Sequence, residues 1–283
     1  MTDNTVDDHK MPLLDHLIEL RQRLLKSVMA LFVAFLVCFY FAEEIFGFLQ
    51  QPLATALENV VADERARRMI FTNLTEVFLT YVKVAFFAGA FFACPIFLTQ
   101  IWKFVAPGLY KTEKGAFLPY LAATPTLFFI GGALVYYVIF PLAARFFLSF
   151  ETPGGPNSLP IELEARVGEY LSLMMTLIFA FGICFQLPVV MTLLARAGLA
   201  TSKGMAEKRK YAIVGVFIVA AIFTPPDPIS QISLAIPIIL LYEISIYMAK
   251  LVERKRGKDE YDDEYGDEYD DSDDELDEDE TTS

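Results

Sequence analysis

Histidine is almost missing from this sequence, and several kinds of chemistry go with it. The two present, His9 and His16, both precede the first apolar run, so paired haem ligands inside a membrane and the H-E-x-x-H zinc-protease arrangement are excluded. No G-x-S-x-G elbow and no P-loop occur either. Cysteine is equally sparse. Cys38, Cys94 and Cys184 each lie within an apolar stretch and none has a C-x-x-C partner, which argues for buried free thiols rather than a disulfide framework or a metal site. A basic start is absent as well: Asp3, Asp7, Asp8 and Asp15 stand ahead of the first apolar run, unlike a cleaved signal peptide, so that run is expected to be kept. The chain reads as no enzyme, with no cofactor and no metal.

Positive charge is missing from one place in particular. Residues 259–280 hold 16 Asp or Glu and no Lys or Arg, and without them the formal net charge of −13 becomes about +3. The body is therefore mildly basic, and residues 251–283 are expected to form a disordered acidic cytoplasmic tail that repels itself and has hardly any aliphatic residue to bury. Residues 1–10 are expected to be a flexible N-terminus ahead of a membrane domain at 11–250.

Apolar residues are what the chain has in quantity: 55% of the total, with 26 Phe, which places most of it in lipid rather than around a soluble core. Six apolar segments can be read, at 27–42, 77–101, 116–147, 170–195, 211–223 and 232–249. A helix rises about 1.5 Å per residue and a bilayer core is about 30 Å thick, so the second, third and fourth cross with room for tilt. The fifth reaches only about 20 Å. A soluble core helix has that length too, but here Thr224-Pro225-Pro226-Asp227-Pro228 and another apolar run follow at once, which reads as a short membrane hairpin. With the N-terminus placed in the cytoplasm, nearly all Lys and Arg fall inside and only Arg65, Arg67, Arg68 and Arg166 outside, with Arg145 near an outer helix end. The expected fold is all-α: a polytopic membrane protein with six transmembrane helices, short fifth and sixth spans and both termini cytoplasmic. Its partner is the lipid bilayer, not nucleic acid.

Proline recurs in these segments at Pro95, Pro119, Pro125, Pro141, Pro188 and Pro237. Each removes a backbone donor and tends to kink its helix, which would bend the six into a concave, cupped wall. Membrane helices also tolerate proline without bending, so both outcomes stay open. No repeat relates the two halves, which weighs against an inverted-repeat transporter.

Ahead of the first span, Leu13, Leu17, Leu20 and Leu24 make one stripe at helical spacing, with Asp15, Glu19, Gln22 and Lys26 opposite. This predicts an interfacial amphipathic helix leading into the membrane. Glu19 can pair with Arg23 four residues on, a surface contact worth a few tenths of a kcal/mol. In the loop at 100–115, Glu113 is the one acid among three lysines, beside Trp102, the single tryptophan. It reads either as an incidental charge or as half of a site for a cationic ligand. Within the spans, Lys83 can snorkel toward the head groups. Glu243 costs about 2.5 kcal/mol or more in lipid if ionised and unpaired, and so is expected to face a cavity or a partner. Gln186, in Gly182-Ile-Cys-Phe-Gln-Leu-Pro188, is a polar group at a depth where such groups face the protein interior or a wet cavity.

Several of these motifs, in this order, resemble the TatC family of the twin-arginine protein translocase. His16-Leu-Ile-Glu19-Leu-Arg21-Gln-Arg23 is similar to its N-terminal motif, and Gln100-Ile-Trp-Lys-Phe104-Val-Ala-Pro-Gly-Leu-Tyr110 with Glu113 to its first cytoplasmic loop. Phe140-Pro141-Leu142, Phe185 with Pro188, and Thr224-Pro225-Pro226-Asp227 with Ser230-Gln231 add to the likeness, which runs over about residues 11–250. The resemblance implies a receptor and core translocon component that exports folded proteins with energy from the proton-motive force. It implies that Glu19 and Glu113 recognise the paired arginines of a signal peptide, with Arg21, Phe104 and Gln186 in the same binding set. It also implies that Thr224 and Gln231 dock the single-span partners TatA and TatB, that copies self-associate, and that Pro52, Pro141 and Asp227 have structural roles on the periplasmic side. A carboxylate accepts the planar fork of guanidinium in two parallel hydrogen bonds while Lys offers only a point charge, which suits a preference for arginine. Arg21 and Arg23 complicate this, since each can compete for the same carboxylates. Relatives often carry Glu where this chain has Gln186, so any step needing an ionised group there is in doubt. Thr224 and Gln231 could instead simply cap helix ends. An ion-coupled small-solute transporter is the alternative, favoured by facing carboxylates at mid-membrane, of which the sequence offers essentially Glu243.

Overall fold

A chain that must satisfy its backbone in lipid does so within helices, and helix is what the computed structural model contains almost throughout. It describes residues 13–58, 68–109, 114–152, 154–155, 158–223 and 228–265. The helices are α1 (Leu13–Tyr40), α2 (Ala42–Glu58), α3 (Glu76–Leu109), α4 (Lys114–Leu134), a π-helical turn (Val135–Ile139), α5 (Phe140–Leu148), α6 (Val167–Cys184), α7 (Leu187–Arg196), α8 (Ser202–Glu207), α9 (Arg209–Phe223) and α10 (Pro228–Tyr265). Two short strands, β1 (Met69–Ile70) and β2 (Ala165–Arg166), pair in parallel. The chain packs as two compact units, 1–184 with 227–230, and 185–226 with 231–283.

Five segments are long and apolar enough to cross a membrane among the described residues: Leu17–Tyr40, Glu76–Phe104, Pro119–Leu148, Val167–Arg196 and Gln231–Arg254. The predicted fifth span is α9, whose 15 residues rise only about 22 Å. The amphipathic lead-in and the first span are one continuous helix, since no Gly or Pro lies between Pro12 and Gly47 to break it. Helix also continues past 250 to Tyr265, into the segment expected to be disordered tail; that stretch has no Pro and a single Gly, Gly257.

In the first unit, α1 and α3 lie backbone to backbone. A Cβ at Gly89 would sit 2.7 Å from the Phe35 nitrogen and 2.8 Å from its Cα, so only glycine permits this approach. Ala85 and Ala93, one turn either way, are buried on the same face, the small-residue spacing that lets membrane helices touch. Deeper in the unit, rings replace small residues: Phe91 meets Phe128 at 5.0 Å and Phe129 at 5.3 Å, in tilted and edge-on geometry.

Helix α2 holds a proline, Pro52, mid-length. Proline has no N–H to give the carbonyl four residues back. That carbonyl, on Phe48, accepts from the Tyr136 hydroxyl at 2.8 Å, and the next, on Leu49, from the Tyr170 hydroxyl at 2.8 Å. The Phe48 and Tyr136 rings stack at 4.3 Å. Pro141 acts one turn further out. With no donor for the Tyr137 carbonyl, the ladder widens just before it, and the Phe140 N–H bonds to Val135 O, five residues back. Of the six span prolines, Pro141 follows this widened turn and Pro188 opens α7, while Pro95, Pro119, Pro125 and Pro237 run inside continuous helices.

Replacing Gly89 by Leu is expected to force α1 from α3 at a cost of about 1–3 kcal/mol. Gly47→Leu, where a Cβ meets nothing within 4 Å, is expected to leave stability unchanged. Thermal unfolding in detergent compares them, and equal midpoints would refute the close packing. Tyr136→Phe, which leaves the Phe48 carbonyl without its donor, is expected to cost about 1–2 kcal/mol in the same assay.

Candidate functional site

The Gly89–Phe35 contact sets a register for the antiparallel pair α1 and α3. Twelve residues back from Phe35 is Arg23 and eleven on from Gly89 is Gln100, so equal rise brings the two level. Arg23 Nη1 accordingly donates to Gln100 Oε1 at 3.4 Å. One turn before Arg23 stands Glu19. Arg23 Nε donates to Glu19 Oε1 at 2.9 Å, and Nη2 of the same guanidinium closes on the same oxygen. The i,i+4 pair read from the sequence is present, and Arg23 acts as a brace between Glu19 and α3. Glu19 Oε2 has no hydrogen bond among the described residues.

Ser27, one turn further along α1 and bonded to the Arg23 carbonyl at 3.0 Å, opens an apolar cavity of about 290 Å³. Val28, Leu31, Cys94, Phe97 and Ile183 line it. An anion thus stands at the mouth of an apolar groove that runs toward mid-membrane.

The remaining predicted residues are distributed as follows. Arg21 is exposed and, two residues from Glu19, projects about 200° away around the helix, so it does not meet that carboxylate. Phe104 is half-buried at the same end of α3. Gln186 stands at the N-cap position of α7 in the second unit, with no side-chain capping bond, and is 5% exposed. Gln231 donates to the Phe217 carbonyl of α9 at 3.2 Å, joining α9 to α10. Pro52 and Pro141 have the backbone roles described above. Glu113, Thr224 and Asp227 lie outside the described residues. Glu243 has the partner expected of it: Arg209 Nη2 at 2.8 Å from its Oε2.

Sequence reasoning missed a second cluster, at the opposite end of the spans. The Glu76 carboxylate accepts from the backbone N–H of Thr72 at 2.9 Å, Asn73 at 3.4 Å and Gly168 at 3.3 Å, and from Arg166 Nη2 at 3.4 Å. Arg166 also reaches Thr72 Oγ1 at 2.7 Å and Glu169 at 2.6 Å. With the β1–β2 pair alongside, one carboxylate fastens the segment before α3 to the segment before α6. The spacing Asn73-Leu-Thr-Glu76 is that of a capping box and could have signalled half of this.

The model for "Sec-independent protein translocase protein (TatC)" matches residues 15–237. The chain belongs to the TatC family. A Sec-independent protein translocase protein TatC from Magnetococcus marinus is 51% identical over 253 residues, 89% of each chain. That of Escherichia coli K12 is 38% identical over 250 residues, covering 88% of this chain and 92% of its own. A crystal structure described as the twin arginine translocase receptor TatC superposes with a TM-score of 0.70 at 36% identity, covering 84% of this chain and 99% of that one. This TatC-family chain is thus a multi-pass helical membrane protein and a component of the Sec-independent, twin-arginine translocase, acting with other subunits in a complex. The family is one of non-enzymatic transport proteins. The ion-coupled carrier finds no support, and the carboxylate that suggested it is paired with Arg209.

Glu76→Gln puts an amide NH2 among donors that need an acceptor. Trypsin cleavage after Arg68 and Arg166 is expected to quicken about tenfold, as a loss near 1.4 kcal/mol in local stability implies. Unchanged cleavage would mean that other contacts hold the two segments.

Proposed function

We propose that this protein is the signal-peptide receptor of its translocase, with Glu19 and Glu113 capturing the two guanidinium groups at the cytoplasmic face of the cytoplasmic membrane. The observation that carries this is the state of Glu19: one carboxylate oxygen is held by Arg23, the other is uncommitted, and an apolar groove begins two turns away. An incoming arginine meets an acceptor already oriented, with Phe104 at the same end of α3, and the apolar part of the signal continues along the groove past Ser27 and Phe97. Arg23 resolves the competition raised by the sequence, because its guanidinium bridges to Gln100 and braces Glu19 from one side. Arg21, on the far face of α1, does not contest the site.

The same reading places both termini in the cytoplasm, counts α9 as a sixth, short span, and lets the export of folded precursors draw on the proton-motive force. Single-span partners of the TatA and TatB kind dock near Thr224 and Gln231. Because the Gln231 amide N–H is engaged with α9, its carbonyl oxygen is the group offered to a polar side chain on the partner helix. Gln186 contributes hydrogen bonds but no charge, and copies of the chain associate in the assembled complex.

A photoreactive peptide bearing Arg-Arg, crosslinked to membranes holding wild type, Glu19→Ala or Glu113→Ala, tests the receptor reading. Each variant is expected to lose about tenfold in yield, the scale of one charge-assisted hydrogen-bond pair, and a Lys-Lys peptide to bind the wild type weakly. Undiminished crosslinking in both variants ends the proposal.

A further inference from the structure

Pro52 and Pro141 also flank a small pocket between α2 and α5, of about 230 Å³, lined by Gln51, Thr55, Tyr137 and Arg145. Among the described residues, the Arg145 guanidinium, the Gln51 Nε2 and the Tyr137 hydroxyl have no hydrogen-bond or ion-pair partner. Tyr136 differs, its proton being given to the Phe48 carbonyl. Among the described residues no carboxylate lines the pocket. A fork-shaped cation with two further donors and no counter-charge among the described residues is suited to receive an anion, and its geometry suits the oxygens of a phosphate.

The pocket does not stand alone. Tyr136 and Tyr137 also wall a larger cavity of about 410 Å³, lined mostly by apolar side chains such as Phe91, Phe129 and Ile178. From Arg145 back to Phe129 the chain climbs about 24 Å of helix, against about 20–22 Å for one leaflet with its head groups. Glu44, the one acid on this trough among the described residues, precedes Gln51 by two turns of α2, about 10 Å, too far to oppose an anion held at Arg145. A cationic donor set at the head of an apolar trough one leaflet deep has the shape of a lipid.

We propose that pocket and trough together hold one phospholipid of the leaflet on the α2 side, its phosphate bound by Arg145, Gln51 and Tyr137 and one acyl chain in the trough. This site is separate from the Glu19 groove, at the other end of the spans, and does not depend on the receptor reading.

The test uses the full chain purified in detergent, with phosphatidylglycerol added and bound lipid measured by native mass spectrometry, beside an arm containing inorganic phosphate. Wild type is expected to retain a single lipid. Arg145→Gln is expected to lower its affinity about tenfold, the scale of a charge-assisted hydrogen bond, and Arg145→Lys less. Ala133→Phe, which fills the trough from an exposed position, is expected to lower it comparably, with helicity by circular dichroism unchanged in all variants. Wild-type affinity in Arg145→Gln or in Ala133→Phe overturns the proposal. Displacement by millimolar phosphate alone overturns it in favour of a free-anion site, and displacement by the apolar segment of a signal peptide gives the trough to the peptide. Should Arg145→Gln lose helicity, Ala133→Phe and the phosphate arm decide.

Discussion

The approach of α1 to α3 at Gly89 is the constraint from which the candidate site follows. Lipid supplies no hydrophobic force between helices, since its tails are as apolar as leucine, so two spans stay together only where close packing gains more dispersion than lipid contact does. A missing side chain at Gly89 allows backbone contact with Phe35, and that one point of contact fixes the register of everything above and below it. Gln100 meets Arg23 because of it, and Arg23 holds Glu19 because it is itself held. A polar site at one end of the spans is thus positioned by an apolar contact deep within them.

The other end depends on a different physical device. Proline strips a donor from the helix it occupies, and a freed carbonyl that is buried needs another partner. This chain answers with tyrosine: Tyr136 and Tyr170 reach across to the two carbonyls of α2 around Pro52, and the π-turn before Pro141 redistributes the ladder on the same side. The prolines therefore bind helices together as much as they bend them. The hydroxyl bonds bring α2 against the π-turn and α6, and the pocket around Arg145 is the space left between them.

The sequence made the main spans legible because their apolar runs are long, and it made the Glu19–Arg23 pair legible because four residues is one turn. The missed features share a cause. Helix α2 carries an apolar stripe at Ile45, Phe48, Leu49, Leu53, Ala56 and Leu57, but Pro52 in its midst reads as a break, and nothing local announces that two distant tyrosines repair it. The bond between Arg23 and Gln100 joins residues 77 apart and exists only once the helices are in register. Glu76 stands one residue ahead of the second apolar segment, and that Gly168 and Arg166 close on it is a tertiary fact. At the end of α10 the acidic run is described only as far as Tyr265. Composition marked the acidic run as disordered, while the absence of proline lets the helix continue to Tyr265.

If Glu19 receives an arginine as proposed above, its energetics would let it hold the Arg23 brace and still release it. Both Glu19 and Arg23 keep about a quarter of their side chains exposed, 26% and 21%, so their pair is worth at most about 1 kcal/mol after screening. A guanidinium arriving with a second one beside it and an apolar segment behind it brings several times that from the groove alone, at about 0.8 kcal/mol per buried CH2. The incoming arginine need not evict Arg23, because Oε2 is open. It needs only to share the carboxylate, and two cations on one carboxylate repel each other. On that reading the repulsion would act on the partly exposed Arg23 and so on its link to Gln100. On the receptor reading proposed above, a signal held at Glu19 would be coupled through Arg23 to the helix pair that Gly89 packs together.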